Sequence, residues 1–175
     1  MTPPRILVAC IGNIFLGDDG FGVEVARRLL TRNLPQGVSV KDFGIRGFDL
    51  AFALMEPHDL TILVDACARG GAPGALYLIE PEPIDETTLK SKPTRIEAHG
   101  MTPVNVLRLV KSLGGNAGHV MIVGCEPADL GSDEEGKMGL SEPVMAAVDE
   151  AIALIDTLIS KCLDGEPVAT AAHSL

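Results

Sequence analysis

The chain has 175 residues, 46% of them hydrophobic and 22% charged, the composition of one ordinary soluble globular domain with a sizeable core. A net charge of −10 argues against nucleic acid or an anionic membrane surface as a partner. Aromatic residues make up only 3%, with no Trp, so the core is expected to be aliphatic. The four cysteines, Cys10, Cys67, Cys125 and Cys162, lie far apart with no CxxC pair. They are expected to be reduced thiols in a cytoplasmic protein, not a zinc knuckle. No run reads as a signal peptide or a membrane span.

Ile6 to Ile11 is a short apolar run suited to a buried strand. It enters Gly12-Asn13-Ile14-Phe15-Leu16-Gly17-Asp18-Asp19-Gly20, a glycine-punctuated turn, and then Phe21, Val25 and Leu29 repeat at helical spacing. Val38 to Phe43 alternates as a second, more exposed strand. Asp49 is the expected N-cap of a helix from Leu50 to Met55, which Pro57 stops. Leu60 to Val64 is the most apolar β-like run, ended by Asp65, and reads as the central strand. Ala75 to Ile79 follows too closely for a crossover helix, so it is expected to lie antiparallel beside the central strand.

The stretch 80–98 carries three prolines and no apolar period, and reads as loop. Thr102-Pro103 starts a third helix with Val106, Leu107, Val110 and Leu113 on one face. His119 to Gly124 is another buried-type strand. Pro127 to Gly139 is acidic and reads as a solvated surface loop. Ser141 caps the last helix, whose apolar stripe runs from Val144 to Cys162. The expected fold is a three-layer α/β/α sandwich around a mostly parallel, mixed sheet of about five strands. Residues 1–163 form a single domain and 164–175 a flexible tail.

In open α/β sheets, sites lie outside the carboxyl ends of the strands. The polar residues expected there are Asn13, Asp18, Asp19, Asp42, Asp65 and Glu126, with His99 ahead of the third helix. Carboxylates with an imidazole suit zinc, nickel, manganese or iron. Taken singly, each has a plainer role. Asp18 or Asp19 can cap the first helix, Asp42 and Asp65 can serve as turn residues, and His99 can sit on the surface. Several other chemistries are excluded. There is no GxxxxGK[ST] and no GxGxxG, two acids would repel a pyrophosphate in the first turn, and no GxSxG elbow exists. Asp65 beside Cys67 disfavours a thiolate nucleophile.

The block from Ile6 to Val23 resembles the N-terminal signature of the hydrogenase maturation proteases. Asp42-Phe43-Gly44-Ile45-Arg46-Gly47-Phe48-Asp49-Leu50, Val64-Asp65-Ala66 and Val123-Gly124-Cys125-Glu126-Pro127 with Leu140-Ser141 resemble its later blocks, so the likeness spans nearly the whole chain. It implies an endopeptidase that removes the C-terminal extension from the precursor of a nickel–iron hydrogenase large subunit. By the same resemblance Asp19, Asp65 and His99 match metal-contacting positions, where Asp19 stands in place of a frequent Glu. Asp42 matches an acidic residue implicated in cleavage, with Phe43 and Ile45 in place of the more usual glycine and threonine. Asp18 is left as a helix cap.

The implied nickel is carried by the substrate and is not a permanent cofactor. The implied partner is that precursor, with the protease a monomer. Either Asp42 or a metal-bound water would activate hydrolysis. The alternatives are a metallohydrolase with a resident zinc or manganese, and a nickel-checkpoint module that does not cleave.

Overall fold

β1 (Ile6–Ile11) is buried at every residue, because both of its faces are covered. Ile6, Val8 and Cys10 pack into one apolar layer and Leu7, Ala9 and Ile11 into the other, as the two-residue period of a strand requires. The computed structural model describes residues 2–85, 87, 89, 101–132 and 134–169. After β1 come a single 3-10 turn (Gly17–Gly20), α1 (Phe21–Leu29), β2 (Val38–Gly44), α2 (Gly47–Met55), β3 (Leu60–Ala66) and β4 (Leu76–Ile79). Among the described residues, α3 (Pro103–Ser112), β5 (Val120–Cys125) and α4 (Glu142–Leu163) follow.

The five strands run in the order β2-β1-β3-β5-β4. β2, β1, β3 and β5 are parallel and β4 is antiparallel at the edge, so the sheet is mixed as expected. α1 and α4 cover one face through residues such as Val25, Leu29, Val148 and Ile155. α2 and α3 cover the other through Leu50, Leu54, Val106 and Val110. Val168, beyond α4, also joins the first layer. Among the described residues no helix is long and apolar enough to cross a membrane.

Several local expectations are corrected. β4 does not neighbour β3, because β5 lies between them and β4 pairs with β5 alone. The connection 67–75 instead steps over the end of β5, a lateral reach of about 10 Å that nine residues span easily. α2 begins at Gly47 with Arg46 at its cap, leaving Asp49 in the first turn. In α3 Thr102 caps as expected, accepting from the Asn105 amide at 3.3 Å. Leu109, however, takes the buried position expected for Leu113, which is 43% exposed. Ser141 stands at the N-cap of α4 but makes no side-chain cap there. In the stretch 80–98 expected as loop, Thr87 and Leu89 are instead helical, the Leu89 amide donating to the Asp85 carbonyl at 3.3 Å, while 86, 88 and 90–98 lie outside the described residues.

Candidate active site

The carboxyl ends of β1, β3 and β5 open into a cleft of about 960 Å³ on the α2/α3 side of the sheet. The turn after β1 closes tightly on its own backbone. Gly12 has φ +152°, and a Cβ there would stand 2.1 Å from the Asp19 carbonyl oxygen. Gly22 lets α1 press on the sheet, since its Cβ would meet the Ile11 carbonyl oxygen at 2.1 Å. The two adjacent aspartates of this turn leave it in different directions, Asp19 to the cleft and Asp18 into the interior.

Asp18 is fully buried and points away from the cleft. Its Oδ2 accepts from the Ala128 amide (2.8 Å), the Asp129 amide (2.9 Å) and the Ser141 hydroxyl (2.9 Å), and its Oδ1 from the Ser141 amide (2.6 Å). Burial alone would raise its pKa. The amides of Ser141, Asp129 and Ala128 and the Ser141 hydroxyl outweigh that and hold it below the ordinary value. The helix-cap reading of Asp18 is thus corrected, as is that of the Ser141 side chain. The two residues bind each other and clamp the first turn to the 127–139 loop and the start of α4.

That loop is not merely solvated. Gly17 donates to the Lys137 carbonyl at 2.7 Å, Lys137 to the Phe15 carbonyl at 2.7 Å, and Asp18 to the Asp129 carbonyl at 2.9 Å. The Lys137 ammonium pairs with the Asp129 carboxylate across the loop.

Asp19 and Asp65 both line the cleft. Asp19 accepts from the Asn13 amide at 2.9 Å, yet burial raises its pKa against that bond. Asp65 is 4% exposed. Burial first, and then the neighbouring Asp19 charge, push it well above the ordinary value, against a single hydrogen bond from the Ala66 amide. Two carboxylates that repel each other at one wall form a site that a cation would relieve.

Glu126, the remaining strand-end acid, faces elsewhere. It accepts from the Tyr77 hydroxyl (2.7 Å) and from the Arg69 and Gly70 amides (2.7 and 3.1 Å). The Tyr77 bond leads in holding its pKa below the ordinary value. Glu126 fastens the 67–75 connection over β5.

Asp42 lies in an irregular register. β1 pairs Cys10 with Asp42 but Ile11 with Gly44, so Phe43 is an extra residue in β2. The Asp42 side chain is exposed, and its Oδ1 accepts from the Gly44 amide at 2.8 Å. Gly44 and Ile45 line the cleft and Asp42 does not. The structure therefore brings together Asp19 and Asp65 but not Asp42, and His99 lies outside the described residues. No group of three or more His, Cys, Asp or Glu among the described residues is arranged to hold a metal ion. Cys67 also lines the cleft, but burial, reinforced by Asp65, pushes its thiol up to about 12, so it is no nucleophile at neutral pH. Sequence reasoning missed Arg108, a cleft residue on α3 with no motif to mark it.

Comparison with known proteins finds relatives along most of the chain. A family model described as hydrogenase maturation protease matches residues 23–157. The hydrogenase expression/formation protein HupM of Azotobacter chroococcum is 33% identical over 87% of this chain and 70% of its own length. The crystal structure of a hydrogenase 2 maturation peptidase from a Thaumarchaeota archaeon is 32% identical, with TM-score 0.60, covering 86% of this chain and 95% of that one. The hydrogenase maturating endopeptidase HybD of E. coli is 26% identical with TM-score 0.67, covering 97% and 99% of the two chains. The chain is a protease of the hydrogenase maturation protease family.

Proposed function

We propose that the protein is the endopeptidase that removes the C-terminal extension from the nickel-loaded precursor of a nickel–iron hydrogenase large subunit. The observation that carries this reading is the pair Asp19 and Asp65, short of hydrogen bonds and raised in pKa, at the wall of a cleft large enough for a peptide segment. In this reading the nickel belongs to the substrate. Asp19 and Asp65, with His99, contact it once it has been inserted, and the contact sets the scissile peptide in place. A cation at this wall lowers the cost of ionising both acids, so recognition couples directly to metal loading.

Hydrolysis requires an activated water and a polarised carbonyl. Asp42 can serve as base only if its carboxylate leaves the Gly44 amide and turns to the cleft. Asp42→Asn keeps that turn bond, so a large loss of processing in this variant supports Asp42 as base, and an unchanged rate removes it from the chemistry.

The deciding experiment incubates the protein with nickel-loaded and nickel-free precursor and weighs the products. Shortening of the loaded form alone is expected. A precursor that stays full length in both would leave a binding module. Metal analysis of the purified protease is expected to show no stoichiometric metal, and a tightly held zinc or manganese would overturn the role given to substrate nickel.

A further inference from the structure

α3 presents two faces. Val106, Leu109 and Val110 enter the core, while Val104, Leu107 and Arg108 stand on the wall of the cleft. Arg108 is partly buried, and its Nε is shielded from solvent with no hydrogen-bond partner. It forms no ion pair with any described residue, and that sets it apart. Arg27 and Arg28 bind Glu24, Arg32 binds Asp156, and Arg5 and Arg46 face Glu56 and Asp49. Arg69, the other arginine on the cleft wall, stacks over the Tyr77 ring, 5.5 Å from its centroid.

A guanidinium is charged at every working pH, and shielding one of its donors without a partner is costly. Its planar fork matches a carboxylate through two parallel hydrogen bonds. The cleft walls carry four acids, Asp19, Asp65, Glu80 and Glu82, yet none of them forms an ion pair with Arg108, and Glu80 lies by His119 instead. No described residue supplies its counter-charge, and an anionic group held in the cleft can.

We propose that Arg108 is a specificity-determining residue that binds a carboxylate of the polypeptide held in the cleft. This rests on the peptidase reading of the same cleft. The carboxylate comes from an Asp or Glu side chain near the scissile bond or from the α-carboxylate that ends the extension, and the chemistry of recognition is the same for both. Arg108 therefore selects among precursors by the acidity of the segment that is removed, separately from the metal check at Asp19 and Asp65.

The test compares wild type with Arg108→Gln and Arg108→Lys on nickel-loaded precursor. Loss of a charge-assisted pair is expected to raise KM about ten- to a hundredfold in Arg108→Gln. A kcat within about twofold is expected, since uniform binding is what is lost. Arg108→Lys should recover part of the loss, which a purely structural defect would not predict. Precursors with each acid of the extension changed to its amide, or with the terminal carboxylate amidated, should lose as much with wild type and nothing further with Arg108→Gln. The modification that shows this non-additivity identifies the source.

Unchanged KM in Arg108→Gln, or a loss that adds fully with every carboxylate change, overturns the proposal. Should Arg108→Gln fold poorly by thermal melting, Arg108→Lys and Arg108→Met decide the same comparison. If wild type cuts no precursor, the peptidase reading fails on its own. Fluorescence anisotropy of labelled precursor then judges Arg108 separately, and equal affinity for wild type and Arg108→Gln rejects it.

Discussion

Two pairs of acids at one sheet edge have opposite fates. Asp18 and Glu126 are saturated with hydrogen bonds and held below their ordinary pKa, while Asp19 and Asp65 are starved of them and held above. Asp18 and Asp19 are adjacent in one turn, and Asp65 and Glu126 end neighbouring strands, so neither position nor residue type separates the pairs. Backbone amides do. Where loops fold back to donate, as residues 128, 129 and 141 do to Asp18, the carboxylate becomes structure. Where the loops leave a cleft open, the carboxylates stay under-bonded and available to a ligand.

The largest effect that would break this contrast is on catalysis. Asp19→Ala and Asp65→Ala are each expected to cut processing of nickel-loaded precursor by about a hundredfold or more, since both are assigned to positioning the reacting centre. The circular dichroism spectrum should stay native, because neither acid holds two loops together. Retained processing in both variants would remove the cleft assignment.

Asp18→Ala should do the reverse. It strips four donors of their acceptor, two of them loop amides, and is expected to cost about 3 kcal/mol in urea unfolding. The surviving folded fraction should still process precursor. The sign of its pH dependence follows from the lowered pKa. Its contribution is fully present above the ordinary carboxylate range and is lost as pH falls through the lowered value. Wild type and Asp18→Ala should therefore converge in stability on acidification.

Much of this was legible in the sequence. Apolar runs and periods located the five strands and the four long helices of the described residues, because strand burial and helical stripes are local signals. Long-range facts were not. Nothing between Ala66 and Leu76 announces that β5 will insert beside β3, since β5 follows some forty residues later in the chain. The clamp on Asp18 joins positions more than 100 residues apart, so its local appearance as a helix cap misled. The acidic 127–139 loop looked solvated because its structural bonds to the first turn are made by backbone groups, which composition does not reveal. The orientation of Asp42 depends on the extra residue in β2, a register feature that alternation alone does not fix. Asp65 was the most readable site residue. An acid ending a strand of buried residues must either be bonded or be used, and here it has one amide for a partner.

The smallest effect is also the sharpest on that point. Asp65→Asn removes the charge whose burial, with Asp19 beside it, is unfavourable in the folded chain. A carboxyl whose folded pKa is raised binds its proton more tightly in the native state. Its ionisation therefore costs stability progressively as pH climbs from the ordinary carboxylate value toward the raised one. At pH 7 the Asn variant should melt above wild type, and the gap should close as the pH approaches about 4, the ordinary Asp value. The same variant should process poorly, since an amide is a weaker partner for a cation. A more stable and less active protein is what an under-bonded functional acid predicts. Equal melting curves at pH 7 would mean that Asp65 is as well solvated as any surface acid, and the contrast with Asp18 would fail.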